Sequence, residues 1–108
     1  MAKRREVVLA EIFFSDAPDS KTRPCIVLSD GAYCDGKYSV VAMITSECDE
    51  HCLPISENDA GCRFYGGSGV RFNCMARIGA AQLERRIGKV APEFYSRLVG
   101  RINGIIGK

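Results

Sequence analysis

The sequence predicts a mainly β fold that closes with one C-terminal helix, as a small barrel or a strongly bent sheet. Three observations predict it. Short β-branched and apolar runs recur along the chain, giving five or six strands. Turn formers separate them at regular spacing. The last stretch, in contrast, repeats its apolar residues at helical intervals.

Residues 7–14 (VVLAEIFF) read as a first strand, with Glu11 the one charge in an apolar and aromatic run. Residues 15–22 (SDAPDSKT) are dense in turn formers and predict a loop. Arg23 precedes Pro24, which pushes its backbone toward an extended conformation. Cys25 to Ser29 then reads as a buried strand, Asp30 to Lys37 as a turn, and Tyr38 to Ile44 as a β-branched strand. Glu47 to His51 is a polar loop. Cys52 to Ile55 is a short strand that Pro54 confines to a sheet edge.

Asn58 to Gly61 predicts a turn and Gly66 to Gly69 a flexible loop that fits neither phosphate-binding glycine motif. Val70 to Ile78 alternates. Val70, Phe72, Cys74, Ala76 and Ile78 share one face, and Arg71, Asn73, Met75 and Arg77 the other. Gln82 to Arg86 reads as a turn or short helical piece, and Ile87 to Val90 as a brief last strand. Pro92 suits a first helical position and Glu93 the positive end of the helix dipole. Phe94, Leu98, Ile102, Ile105 and Ile106 form one apolar stripe, so Pro92 to Ile106 is an amphipathic helix. Gly100 and Gly104 weaken it by about 1 kcal/mol each, unless another surface approaches there.

Composition sets the frame. The 108 residues are expected to form one domain with a modest core. With 46% hydrophobic and 26% charged residues, the profile is globular and far from disorder. No apolar run approaches the roughly 18 residues of a membrane span, and no secretory segment is recognisable, so a cytoplasmic protein with no membrane partner is expected. A net charge of +2 permits a nucleic-acid partner without demanding one. Basic residues cluster at Lys3, Arg4 and Arg5 and at Arg85, Arg86 and Lys89, either as a footprint for a polyanion or as solvated surface.

Six cysteines are unusual, but without secretion they do not imply a disulfide framework. Cys25 and Cys74 read as small buried hydrophobes. Cys48, His51 and Cys52 fall within five residues, and Cys62 or Cys34 could complete a zinc set. Unmatched C-x3-C spacing is a weak metal signal; reduced loop thiols, or one opportunistic disulfide, are the preferred reading, and no cofactor is expected.

The candidate site is polar and sits at strand ends. An arginine before a proline, at the mouth of an apolar strand, is costly unless a ligand uses it. Guanidinium is permanently charged and forks onto phosphate oxygens. Thr45 and Ser46 end the third apolar run, and Arg71 and Asn73 follow the glycine loop. Phe64 and Tyr65 beside that loop are the candidates for stacking on an unpaired base, whereas Phe13, Phe14, Phe72 and Tyr38 read as core.

The ordered set resembles the MazF/PemK/Kid family of toxins from toxin–antitoxin pairs. It comprises Ala10-Glu11-Ile12-Phe13-Phe14, Arg23-Pro24 leading into Cys25-Ile26-Val27-Leu28-Ser29, Ile44-Thr45-Ser46, Ser68-Gly69-Val70-Arg71, and Arg86-Ile87-Gly88-Lys89-Val90 before a final helix. The resemblance runs from about Leu9 to Ile106. It implies an SH3-like β-barrel of the PemK/MazF/CcdB type with a terminal helix, in a homodimer. It also implies a metal-independent, sequence-selective endoribonuclease acting on single-stranded messenger RNA, and a cognate antitoxin protein as partner.

The implied chemistry is attack of an RNA 2′-hydroxyl on the adjacent phosphorus, giving a 2′,3′-cyclic phosphate and a 5′-hydroxyl. Arg23, Thr45 and Arg71 match the family's catalytic positions. Ser46, Asn73, Phe64 and Tyr65 are the expected substrate contacts. An arginine is a poor base near neutral pH, so charge stabilisation is the role assigned to Arg23. The departure is Asn73, where some members carry an aspartate; an amide exchanges no proton near neutrality. Asn73 keeps open an alternative, a catalytically degenerate RNA- or protein-binding module on the same barrel, like the gyrase poison CcdB. A metal-binding regulatory protein built on Cys48, His51 and Cys52 is the third reading. Arg71 could instead pair with Glu11 or another acid.

Overall fold

The computed structural model describes residues 2–13, 20–64 and 67–107. The expected turn formers at 15–19, with Phe14 and Tyr65, lie outside the described residues. The elements in order are β1 (Glu6–Phe13), β2 (Ser20–Val27), β3 (Tyr38–Thr45), β4 (Cys52–Pro54), α1 (Glu57–Ala60), β5 (Gly69–Gly79), β6 (Leu83–Lys89) and α2 (Pro92–Ile106). Short 3-10 turns fall at Tyr33–Gly36 and Ala80–Gln82. One antiparallel sheet runs in the order β4-β5-β3-β2-β1-β6. The expected class, mainly β with a C-terminal helix, therefore holds.

Apolar side chains divide between two clusters because the strands expose both faces to a core. Val7, Ile26, Ala42, Ile44, Val70 and Phe72 pack under α2, through Phe94, Leu98 and Ile102. On the opposite face, Val8, Ala10, Ile12, Cys25, Val27, Val41 and Ile78 form the second cluster. Phe94 and Leu98 are buried almost completely, and each such side chain is worth about 1.5–3 kcal/mol.

The alternation of β5 is as expected, but it serves two cores. Val70 and Phe72 join the first cluster and Ala76 and Ile78 the second. The cause is a break in register. Ala42 pairs with Met75, whereas Ile44 pairs with Val70, so the ladder slips between them and β5 bends. Tyr38 and Met75 are exposed, and the Arg77 guanidinium covers the Tyr38 ring at 4.3 Å. The expected core role of Tyr38 is thus corrected.

The two sheet edges meet without pairing. Leu53 in β4 and Val90 after β6 enter the same cluster. Between them sits α1, whose Asp59 carbonyl accepts the Ala91 N–H at 2.8 Å. A Cβ on Gly88 would stand 2.5 Å from the Ala60 carbonyl oxygen, so only glycine lets β6 come this close. Gly61 ends α1 at φ 68°, the left-handed cap that the expected turn at 58–61 requires. This short helix closes the curled sheet.

Three boundaries differ from the sequence expectation. β2 begins at Ser20, because its polar start pairs with β1 as far as Phe13↔Ser20. The strand expected at Ile87 starts earlier, at Leu83, where the sequence predicts a turn or helical piece reaching Arg86; pairing with β1 decides, through a ladder that slips twice. Ile105 and Ile106 at the end of α2 are 50% and 67% exposed, so the packed stripe ends at Ile102. Among the described residues nothing lies within 4 Å of a Cβ placed on Gly100 or Gly104. Among the described residues no helix is long and apolar enough to cross a membrane.

Candidate active site

The site arises where β2 and β3 part. Their ladder consists of Cys25↔Met43, Ile26↔Ala42 and Val27↔Val41. Pro24, next in line, has no N–H to extend it. Pro24 instead faces Leu9 on β1, while Ile44 and Thr45 pair with Val70 and Gly69 on β5. A proline in a central strand is tolerated because the strand is central on one side only at that point.

The gap is a cleft of 670 Å³. Its polar wall holds Arg23, Thr45, Ser46 and Arg63; Leu9, Ile44, Phe64 and Ile87 make the apolar part. An adjoining cavity of 210 Å³ is lined by Arg23, Met43, Ile44, Thr45, Arg71 and Cys74. Arg23, Ile44 and Thr45 line both, forming the wall between them.

The structure thus brings together Arg23, Thr45 and Arg71, and beside them Ser46 and Phe64. Asn73 is exposed and lines neither cavity. Tyr65 lies outside the described residues. Arg63 was not singled out from the sequence. Its signal was a cation next to the one aromatic pair that flanks the glycine loop. Cys74, expected to be buried, is half-buried and lines the smaller cavity, where its thiol lies 3.8 Å from the Met43 sulfur.

Among the described residues three guanidiniums line this surface, and no carboxylate does. Among the described residues Arg23 and Arg63 form no ion pair. A cleft so lined favours anions. Thr45 Oγ1 accepts the Glu47 N–H at 3.1 Å, which fixes the hydroxyl and leaves its hydrogen free to donate. Arg71 Nη1 lies 3.4 Å from Asp49 Oδ2, so its acid is Asp49 and not Glu11. The His51 N–H leads the groups that hold the Asp49 carboxyl below its usual range; desolvation opposes it, and Cys52, Arg71 and the His51 side chain add to the lowering.

The basic clusters read from the sequence are partly structural. Arg86 pairs with the nearly buried Glu6 at 3.2 Å, and Arg5 donates from Nε to the Val90 carbonyl at 3.0 Å. Among the described residues no three His, Cys, Asp or Glu side chains gather as metal ligands. His51 is exposed against Glu50, and the Cys52 thiol turns to Asp49.

Comparison with solved structures decides the fold. The chain superposes on Mycobacterium tuberculosis toxin MazF-mt6 with TM-score 0.74 and 20% identity, covering 93% of this chain and 94% of that one. The chain has the MazF fold. MazF in a MazE-MazF crystal from Deinococcus radiodurans gives TM-score 0.77 at 14% identity, over 97% and 95% of the two chains. An endoribonuclease from a mycobacterial species, solved with its cognate antitoxin, gives 0.72 at 13% identity over 96% and 93%. No protein-family model matches the chain, and no curated protein is similar to it in sequence. The MazF fold is therefore carried here by a sequence far from these relatives.

Proposed function

We propose that this chain is a metal-independent endoribonuclease toxin that cuts single-stranded RNA. The observation that carries the reading is the wall shared by the two cavities. It sets the permanent charge of Arg23 beside a fixed hydroxyl, Thr45, with Arg71 on one side and Arg63 and Phe64 on the other. Fold analogy supports the assignment and does not replace the site.

The reaction follows from those groups. The 2′-oxygen attacks phosphorus as its proton passes to water, the bond to the 5′-oxygen breaks as that oxygen takes up a proton from water, and the products are a 2′,3′-cyclic phosphate and a 5′-hydroxyl. Negative charge grows on the non-bridging oxygens. Arg23 stabilises it as a fork, and Thr45 donates its remaining hydrogen to one oxygen. Arg71 provides the second cation from the smaller cavity. Phe64 offers a face for a base, Ser46 and Arg63 hold the flanking backbone, and Asn73 contacts RNA only outside the clefts. Cations that the chain itself supplies give the charge neutralisation that a metal would otherwise provide.

Partners follow the same reading. Structures with this fold include a MazE-MazF assembly and an endoribonuclease with its cognate antitoxin; an antitoxin that covers the arginine-lined cleft, and a homodimer, are proposed for this chain. One observation favours a second reading, a binder without chemistry: Asn73 exchanges no proton and stands outside both cavities.

Incubation with a long single-stranded RNA in EDTA separates the two. Discrete fragments with 5′-hydroxyl ends support the nuclease. Intact RNA that is bound, more weakly as salt rises, supports the binder.

A further inference from the structure

Asp49 is a carboxylate in contact with Arg71, one of the arginines of the proposed chemistry, and it comes from a loop, whereas Asn73 lies in β5. It belongs to the turn before β4. Its carbonyl accepts the Cys52 N–H at 3.2 Å. Its Oδ1 takes the His51 N–H at 2.8 Å and the Cys52 thiol at 3.5 Å. With Oδ1 committed to its own turn, Oδ2 faces the Arg71 Nη1 at 3.4 Å.

The turn is clamped over β5. Cys52 is the direct partner of Arg71 in the β4–β5 ladder. Cys48 and Cys52 both rest on the bare backbone of Gly69, where a Cβ would stand 2.5 Å from the Cys48 sulfur and 3.0 Å from the Cys52 Cβ. The Cys48 N–H is held by the Gly67 carbonyl at 2.8 Å. The carboxylate is thus fixed by its own turn relative to the strand that carries Arg71.

We propose that Asp49 is a positioning residue for Arg71, holding its guanidinium at the wall shared with Arg23 and Thr45; this rests on the RNA-cleaving reading. The contact engages one terminal nitrogen. The other guanidinium donors stay available for a phosphate oxygen. A flexible arginine side chain held at one end presents the rest in fewer orientations, which matters most when charge peaks on the phosphorane. If Asp49 merely neutralised Arg71, removing its charge would tighten RNA binding and leave the cleavage step unchanged. The two roles therefore differ in whether removing the charge slows the cleavage step.

The test compares the full chain with Asp49→Asn and Asp49→Glu, reading the cleavage rate at saturating protein apart from RNA affinity. The order parameter of the Arg71 Nε–H group is read by NMR in the same proteins. The expected result is a cleavage rate about tenfold lower in Asp49→Asn with affinity equal or higher, a smaller loss in Asp49→Glu, and a more mobile Arg71. An unchanged cleavage rate in Asp49→Asn, or an Arg71 equally ordered without the carboxylate, would overturn the proposal. No cleavage by the parent chain would overturn the RNA-cleaving reading, and the order parameter would still decide whether Asp49 holds Arg71.

Discussion

Cys25 and Met43 are the last paired residues of β2 and β3 before the two strands separate. Everything functional in this account lies just past that pair. Pro24 ends the ladder on one strand, Ile44 and Thr45 transfer to β5 on the other, and the cleft fills the space between.

Thr45 acts through its hydroxyl in this scheme. Thr45→Ala should lower the RNA cleavage rate by about 10- to 100-fold, the loss expected for one donor to a developing oxyanion. Thr45→Ser keeps the donor and should stay within a fewfold of the parent. Equal losses in the two variants would assign Thr45 to packing alone.

Arg63 is exposed at the rim of the larger cleft and is assigned to the RNA backbone. Arg63→Ala should weaken binding across sequences and reduce the slope of log affinity against log salt by about 0.7, the increment for one phosphate on a single strand. An unchanged slope would remove Arg63 from the interface.

Gly69→Ala tests the clamp on the turn at 48–52. The new Cβ meets both cysteine side chains, one of them at 2.5 Å. Overpacking of this kind costs about 1–3 kcal/mol, so the urea midpoint should fall with little change in slope. A midpoint equal to the parent's would show that the turn moves freely.

Much of this fold was legible because the strands carry their own signals. Val70 to Ile78 alternates, Tyr38 to Ile44 is β-branched, and the last helix opens on Pro92 and spaces its apolar residues at helical intervals. What stayed hidden depends on partners distant in sequence. Leu83 to Arg86 has no apolar alternation and becomes a strand only beside β1. The polar start of β2 is extended by the same strand. Arg23, Thr45 and Arg71 were visible as strand-end residues, whereas the Asp49–Arg71 pair spans 22 positions and follows from β4 lying against β5.

Cys25 gives a pH signature. Burial, with Cys74 adding to it, pushes its thiol up from 9.0 to about 12. The folded state therefore keeps a proton that the unfolded chain loses above pH 9. Stability from this group is fully present below pH 9 and falls between pH 9 and about 12, by at most about 1.4 kcal/mol per pH unit. Alkylation at pH 8 should spare Cys25 in the folded protein. Modification of Cys25 as fast as in urea would contradict its burial.

The most direct test of the central claim is the RNA cleavage rate of Arg23→Ala beside the parent in EDTA, with folding checked by circular dichroism. Arg23 stands in the wall of both cavities. Loss of about 100-fold or more with the fold intact is the predicted result, since a charge-stabilising group acts in the transition state. Cleavage by a folded Arg23→Ala within threefold of the parent would contradict the account.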